Sequence, residues 1–225
     1  MGMSEMRDAG KRWVNFPEIQ AACGVKIVAP NLENAIAGTT LHLANTEEQK
    51  SEAEQLIREE WRGIYEKMPI MCSNCKKVSP RSEFVEQCQN GTCPGAVEEK
   101  DGVVIKADTV GGLEALAFEL FKLKIPVRQA TVGPVNKKDI LMAKSIQDPL
   151  NKAILGFSTK PNTEVMDELT NEGSEIAFFN GSIIYHIIDA FEEWRAEKQA
   201  EITEKLETRM REEEPRPGLD LQTHA

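Results

Sequence analysis

The sequence predicts an α/β fold: a four-stranded parallel sheet sandwiched by helices (α/β/α), over residues 101–191. Three observations predict it. Strand-like and helix-like segments alternate four times in that stretch, and each parallel strand pair needs such a crossover. The strand-like runs are nearly continuous in apolar and β-branched residues, as in a sheet buried on both faces. The connections between them are short.

In chain order, 103–107 (VVIKA) reads as a strand and 112–123 as a helix; 127–131 as a strand and 137–146 as a helix. A strand at 153–158, a helix at 164–171, a strand at 176–179 and a helix from 182 onward complete the pattern. In that last helix Ile184, Ile187, Ile188, Phe191 and Trp194 form one stripe, which thins to Ile202, Leu206 and Met210 among charged residues. A helix so patterned is expected to leave the domain, over 192–214, and to project or bridge to something else. Pro215 and Pro217 end it, and 215–225 reads as an unstructured tail.

Upstream, residues 1–45 read as the tail of a β-barrel domain, with strands expected at 25–28 and 39–43. Two strands do not make an independently stable sheet. Residues 46–68 read as a linking helix. Thr46 and Gln49 have capping-box spacing, and Ala53, Leu56, Ile57, Trp61, Ile64 and Tyr65 share one face before Pro69 stops it.

Composition excludes several classes. Lys and Arg total 27 against 37 Asp and Glu, a net charge of −10. That balance is poor for a free-standing nucleic-acid binder, since phosphate affinity comes from Lys and Arg, though it leaves room for a local contact. No apolar run approaches the ~20 residues of a membrane span, and no apolar signal segment follows the N-terminus. No membrane partner and a cytoplasmic location are therefore expected. Three His leave few candidates for His-driven catalysis.

Residues 69–100 carry four of the five cysteines: Cys72 and Cys75, then Cys88 and Cys93, a C-x2-C-x12-C-x4-C pattern. Two short knuckles can bring four thiolates to one tetrahedral zinc, and four sulfurs close its shell, which makes the expected zinc structural. Disulfides or unligated thiols are the alternatives; an intracellular location disfavours the disulfides. Cys23 stands apart as a small buried hydrophobe. Lys76, Lys77 and Arg81 beside the cluster could touch nucleic acid or simply form a solvated face.

Asp108-Thr109-Val110-Gly111 and Asn136-Lys137-Lys138-Asp139 match the DxxG and NKxD motifs of GTPases. No GxxxxGK[ST] loop accompanies them to cradle phosphates, and only one helix and one strand lie between them. Gly111-Gly112 as a tight helix start and Asn136 as an N-cap explain them without a nucleotide.

The stretch from Ala21 through Cys23-Gly24-Val25-Lys26-Ile27-Val28-Ala29-Pro30 to Gly38 resembles the end of the second domain of archaeal and eukaryotic translation initiation factor 5B, the relative of bacterial initiation factor 2. Residues 102–116 (GVVIKADTVGGLEAL), Ile125-Pro126-Val127-Arg128, Val132-Gly133-Pro134-Val135 and Phe179-Asn180-Gly181-Ser182-Ile183-Ile184-Tyr185 resemble, in order, that factor's third domain. The resemblance implies an α/β/α sandwich followed by part of a long connecting helix. It also implies a ribosome-facing middle region, touching rRNA and ribosomal proteins, that links the GTPase part to the initiator-tRNA-binding part during subunit joining. The family's GTP-binding domain and C-terminal tRNA-binding barrel have no counterpart here. GTP with Mg, and initiator tRNA, would be handled only by those absent domains. The four-cysteine segment looks like an insertion.

The sequence thus supports a non-catalytic initiation-factor fragment. An independent zinc-containing adaptor that binds a protein or RNA is the alternative. A third reading, a small enzyme with Asp108, Lys160 and Asn180 at its strand ends, lacks a convergent base and nucleophile. Lys106, Arg128, Lys137 and Lys138, chosen for charge beside the domain's loops, are the candidate ribosome contacts.

Overall fold

The computed structural model describes residues 2–6, 13–15, 25–28, 30, 32, 35–83, 101–170 and 175–213. Cys23, Cys88, Cys93 and the expected tail at 215–225 lie outside these residues. The chain divides into two compact units, Met1–Ala37 and Gly38–Ala225.

In the first unit, β1 (Gly2–Met6) is the central strand of an antiparallel sheet, flanked by β2 (Trp13–Asn15) and β3 (Val25–Val28). Ser4 is in register with both Asn15 and Lys26. The strand expected at 25–28 is β3. The one expected at 39–43 does not form, and Leu41 and Leu43 are 72% and 82% exposed. Alternating Thr and Leu favour extended backbone, but a strand needs a ladder partner.

The second unit begins with α1 (Glu47–Lys67). Thr46 Oγ1 accepts from the Gln49 N–H at 3.2 Å, while Gln49 Oε1 reaches back to the Asn45 N–H at 2.9 Å. This is the reciprocal satisfaction of orphan donors expected of a capping box, displaced by one residue. The helix stops ahead of Pro69, and a short antiparallel hairpin follows, β4 (Pro69–Met71) and β5 (Val78–Pro80). The hairpin replaces part of the loop expected at 69–100. Arg81 N–H donates to Met68 O, and Ser82 N–H to Glu66 O, tying the hairpin to the end of α1.

The α/β domain follows the expected alternation. Its strands are β6 (Val103–Ala107), β7 (Val127–Val132), β8 (Ala153–Phe157) and β9 (Ala177–Gly181). The helices are α2 (Val110–Lys122), α3 (Lys137–Lys144), α4 (Thr163–Thr170) and α5 (Ile184–Glu213). All pairings are parallel, in the order β7-β6-β8-β9. Strand period 2 sorts the side chains into two cores. Val103, Ile105, Ala107, Ala153 and Leu155 pack with α1, α2 and α5, around Leu113, Leu116, Leu120, Ile187 and Phe191. Val104 and Ile154 pack with α3 and α4, around Ile140, Ala143, Val165 and Leu169. Phe179, Phe191 and Trp194 pin α5 to β9 through edge contacts at 5.7 and 6.0 Å and a stacked pair at 5.9 Å.

Two turns depend on backbone that most residues resist. Gly102, at φ +117°, leads into β6, and a Cβ there would lie 2.8 Å from the Arg128 nitrogen. At the end of α2, Lys124 N–H bonds Phe121 O and Ile125 N–H bonds Leu120 O, both at 2.9 Å. This is a Schellman motif with Lys124, at φ 57°, where glycine is usual.

The last helix is one element of 30 residues, roughly 45 Å at 1.5 Å per residue. It starts at Ile184, with Ser182 and Ile183 in the preceding bend. Ile187, Ile188 and Phe191 are buried, and residues 203–211 are exposed. There Lys198 donates to Glu201 at 2.8 Å; that hydrogen bond, and the same cation's charge, hold the Glu201 carboxyl below its usual range. No helix among the described residues is long and apolar enough to cross a membrane.

Candidate functional site

In open parallel sheets, ligands sit beyond the carboxyl ends of the strands where the strand order reverses. Here that point lies between β6 and β8, where Asp108-Thr109-Val110-Gly111 leads into α2. Thr109 is the N-cap, its Oγ1 accepting from the Gly112 N–H at 3.3 Å. At this point α2 packs closely on β8. A Cβ on Gly112 would lie 2.8 Å from the Phe157 ring, and one on Gly38 would lie 3.0 Å from the Val110 nitrogen. Gly112 is thus what lets α2 approach the sheet. Asp108, Lys160 and Asn180 are all exposed. Among the described residues no hydrogen bond joins the three.

The NKxD-like segment is a helix start. Asn136 Oδ1 accepts from the Lys138 N–H at 2.9 Å and from the Asp139 N–H at 3.4 Å. Asp139 Oδ2 accepts in return from the Asn136 N–H at 2.9 Å, closing a capping box. The same carboxylate holds Lys106 Nζ at 3.0 Å, with side chains 3% and 2% exposed. Its Oδ1 accepts from Gln129 Nε2 at 3.0 Å. Asp139 therefore caps α3 and neutralises a buried cation.

That pair corrects one candidate contact. Lys106 follows Val104 on the α3 face of the central strand, and its ammonium is enclosed with Asp139, so it cannot reach a surface ligand. The other three do not form one patch. Lys137 and Lys138 are exposed at the start of α3, where Lys137 pairs with Glu164 of α4 at 3.3 Å. They line a shallow cleft of about 320 Å³ with Asn136 and Asn162. Arg128 on β7 lies at the other end of α3, its Nε 3.0 Å from Met142 Sδ and its Nη1 donating to Ser145 O at 3.4 Å.

The first cysteine pair sits on the β4–β5 hairpin. Cys72 N–H donates to Lys77 O and Lys76 N–H donates to Cys72 O, both at 2.9 Å, while Lys76 takes φ 56°. The tight turn leaves Cys72 buried and Cys75 exposed. Among the described residues no group of three or more His, Cys, Asp and Glu converges on a point.

One feature of the site region carried only a weak sequence signal. Arg81 lies over the Tyr65 ring at 4.2 Å, flanking a cavity with Trp61 and Arg128. Arg81 stood out in sequence only as a cation near the cysteines. Its stacking partner lies 16 residues upstream on α1, a spacing no local pattern connects.

A four-stranded, doubly wound parallel sheet, preceded by the helix α1 and followed by the 30-residue α5, defines an α/β domain. The family model for translation-initiation factor 2 matches residues 77–192, more than half of the chain. The chain belongs to the translation-initiation factor 2 family. It is similar to a "Probable translation initiation factor IF-2" of Archaeoglobus fulgidus, at 35% identity over 195 residues, covering 87% of this chain and 27% of the relative. The like-named protein of Thermofilum pendens is 34% identical over 208 residues, covering 91% of this chain and 29% of the relative. Among solved structures, a GDP-bound aIF5B from Aeropyrum pernix matches with a TM-score of 0.60 and 29% identity, over 92% of this chain and 31% of its own. The chain thus spans under a third of the length of these relatives.

Proposed function

We propose that this chain is a non-catalytic, ribosome-facing region of a factor 5B-like initiation factor. It joins the nucleotide-handling part of such a factor to its initiator-tRNA-binding part during subunit joining, in the cytoplasm. The observation that supports this best is the pairing of the α/β domain with helices at both ends. The domain offers a rigid body, and the 30-residue α5 offers a lever fixed to it by the Phe179–Phe191–Trp194 cluster. GTP, Mg and initiator tRNA belong, on this reading, to other domains. The ribosome contacts fall to Arg128, Lys137 and Lys138. Cosedimentation with purified ribosomes tests it. Binding should occur at low salt and fall as salt rises, because displaced counterions drive such contacts. Replacing Lys137 and Lys138 by Glu should weaken it; indifference to both salt and these changes would contradict the reading.

The region carries, on the same proposal, one structural zinc held by Cys72, Cys75, Cys88 and Cys93, with Cys23 taking no part. The tight Cys72–Lys77 turn, with its left-handed Lys76, supports the first knuckle; the second rests on sequence spacing. Protein purified without chelator should contain one zinc per chain. Affinity should fall on acidification as protons compete for the thiolates, and metal removal should leave the α/β domain folded on its own core. Zinc near zero would reject the site. Full occupancy in Cys88→Ser would show the ligand choice to be wrong.

A further inference from the structure

We propose that the cavity between α1, the β4–β5 hairpin and β7 is a docking site for a single unpaired RNA nucleotide. The proposal rests on the ribosome-facing reading for the source of its ligand and on the cavity's own chemistry for the rest. The cavity measures about 200 Å³, below the ~300 Å³ at which pockets for drug-sized ligands begin. It suits one base rather than a larger ligand.

Its lining is specific in character. Trp61 and Tyr65 line it from α1 and Arg81 from the end of the hairpin, with residues 127–130 of β7 along one side and an apolar floor that includes Met68 and Leu113; the Arg128 guanidinium itself turns to α3. One guanidinium group, that of Arg81, and two aromatic rings stand there, and among the described residues no carboxylate lines the cavity, on a chain whose net charge is −10. Rings and guanidinium planes are the surfaces on which splayed-out bases stack, and Arg also meets the phosphate.

Arg81 is arranged for such a ligand. Its guanidinium lies over Tyr65 at 4.2 Å, while its buried Nε finds no hydrogen-bond acceptor among the described residues. A buried donor without an acceptor is uncommon in folded proteins and calls for one; a phosphate or base oxygen would supply it. The ring beneath is 56% exposed, which leaves surface for stacking. Among the described residues the bordering strand β7 is the outermost of its sheet. An acidic peptide would satisfy the Arg81 guanidinium but has no use for the two rings, which favours a nucleotide.

The test uses the full chain and a fluorescein-labelled single-stranded RNA ten-mer, followed by anisotropy at low salt. The parent should bind the single strand in preference to a duplex of equal length. Arg81→Ala and Tyr65→Leu should each weaken binding roughly tenfold, the scale of losing one base stack. Arg81→Lys, which keeps the charge and loses the plane, should fall between. Lys205→Ala with Arg209→Ala, on the distant exposed end of α5, should change affinity less than twofold. Tyr65→Leu alters an exposed ring, so it reports even where an Arg81 variant disturbs the hairpin. Equal binding by parent, Arg81→Ala and Tyr65→Leu would overturn the proposal, as would duplex preference. Displacement by polyglutamate as effective as by unlabelled RNA would also overturn it, in favour of an acidic-peptide site. Ribosome cosedimentation of the parent separates the two readings: cosedimentation without oligonucleotide discrimination rejects the nucleotide site alone. Oligonucleotide discrimination without cosedimentation rejects the ribosome-facing role alone.

Discussion

Leu116→Asp should destabilise the α/β domain by several kcal/mol. Leu116 is fully buried on α2, within the core shared by Val103, Ile105, Leu120 and Phe191. The substitution removes a packed side chain, which for Leu→Ala alone costs ~2–5 kcal/mol. It also forces a carboxylate to be buried without a partner or the helix to peel away. A loss of ~4 kcal/mol or more is a large share of the ~5–15 kcal/mol that holds an ordinary domain together. Urea titration followed by circular dichroism measures it. Leu141→Asp, on the exposed face of α3, should stay within ~0.5 kcal/mol of the parent. Similar effects for the two would mean that α2 does not present Leu116 to the sheet.

Lys106→Met should be nearly as damaging for the opposite reason. The change is apolar and of similar length, and it enters a buried strand, so hydrophobicity alone predicts no harm. It leaves Asp139 enclosed, with its Gln129 and Asn136 hydrogen bonds but without its cation at 3.0 Å. Removing one partner of a buried pair costs ~3–5 kcal/mol, whereas replacing both is far milder. Combining Lys106→Met with Asp139→Asn should therefore recover a substantial part of the loss, the Asn retaining the cap. Additive losses in the double variant would show that the pair contributes no coupling.

This pair also marks where the sequence was hard to read. A lysine between Ile105 and Ala107 in an apolar strand signals a buried charge that needs a partner. Charge alone suggested a surface contact instead, and nothing local links residue 106 to residue 139. The rest of that strand was plain because it is covered on both faces: Val103, Val104, Ile105 and Ala107 are all fully buried. Helix starts were legible where the capping side chain was read as such, at Thr46 and Asn136; the Thr109 cap went unread, and its helix begins at Val110 rather than Gly112. The start near Ser182 was misplaced; the helix begins two residues later.

The β4–β5 hairpin escaped notice because its strands have three residues each and carry Pro69 and Pro80, a residue that ordinarily argues against a paired strand. Conversely, 39–43 has strand-forming residues but forms no strand. Of the candidate site, the first cysteine knuckle was visible as spacing, whereas the Arg81–Tyr65 stack depends on the hairpin folding back onto α1. Local motifs survive in the sequence as patterns; pairs joined only by the fold do not.

The central claim is that this chain occupies, on the ribosome, ground that a factor 5B-like protein occupies. Competition measures it most directly: a labelled full-length family member is bound to ribosomes and challenged with increasing amounts of this chain. The chain should displace the factor, at concentrations well above the factor's own, and Lys137→Glu with Lys138→Glu should raise the concentration required. Cosedimentation of both proteins together, with no displacement at any concentration, would contradict the account.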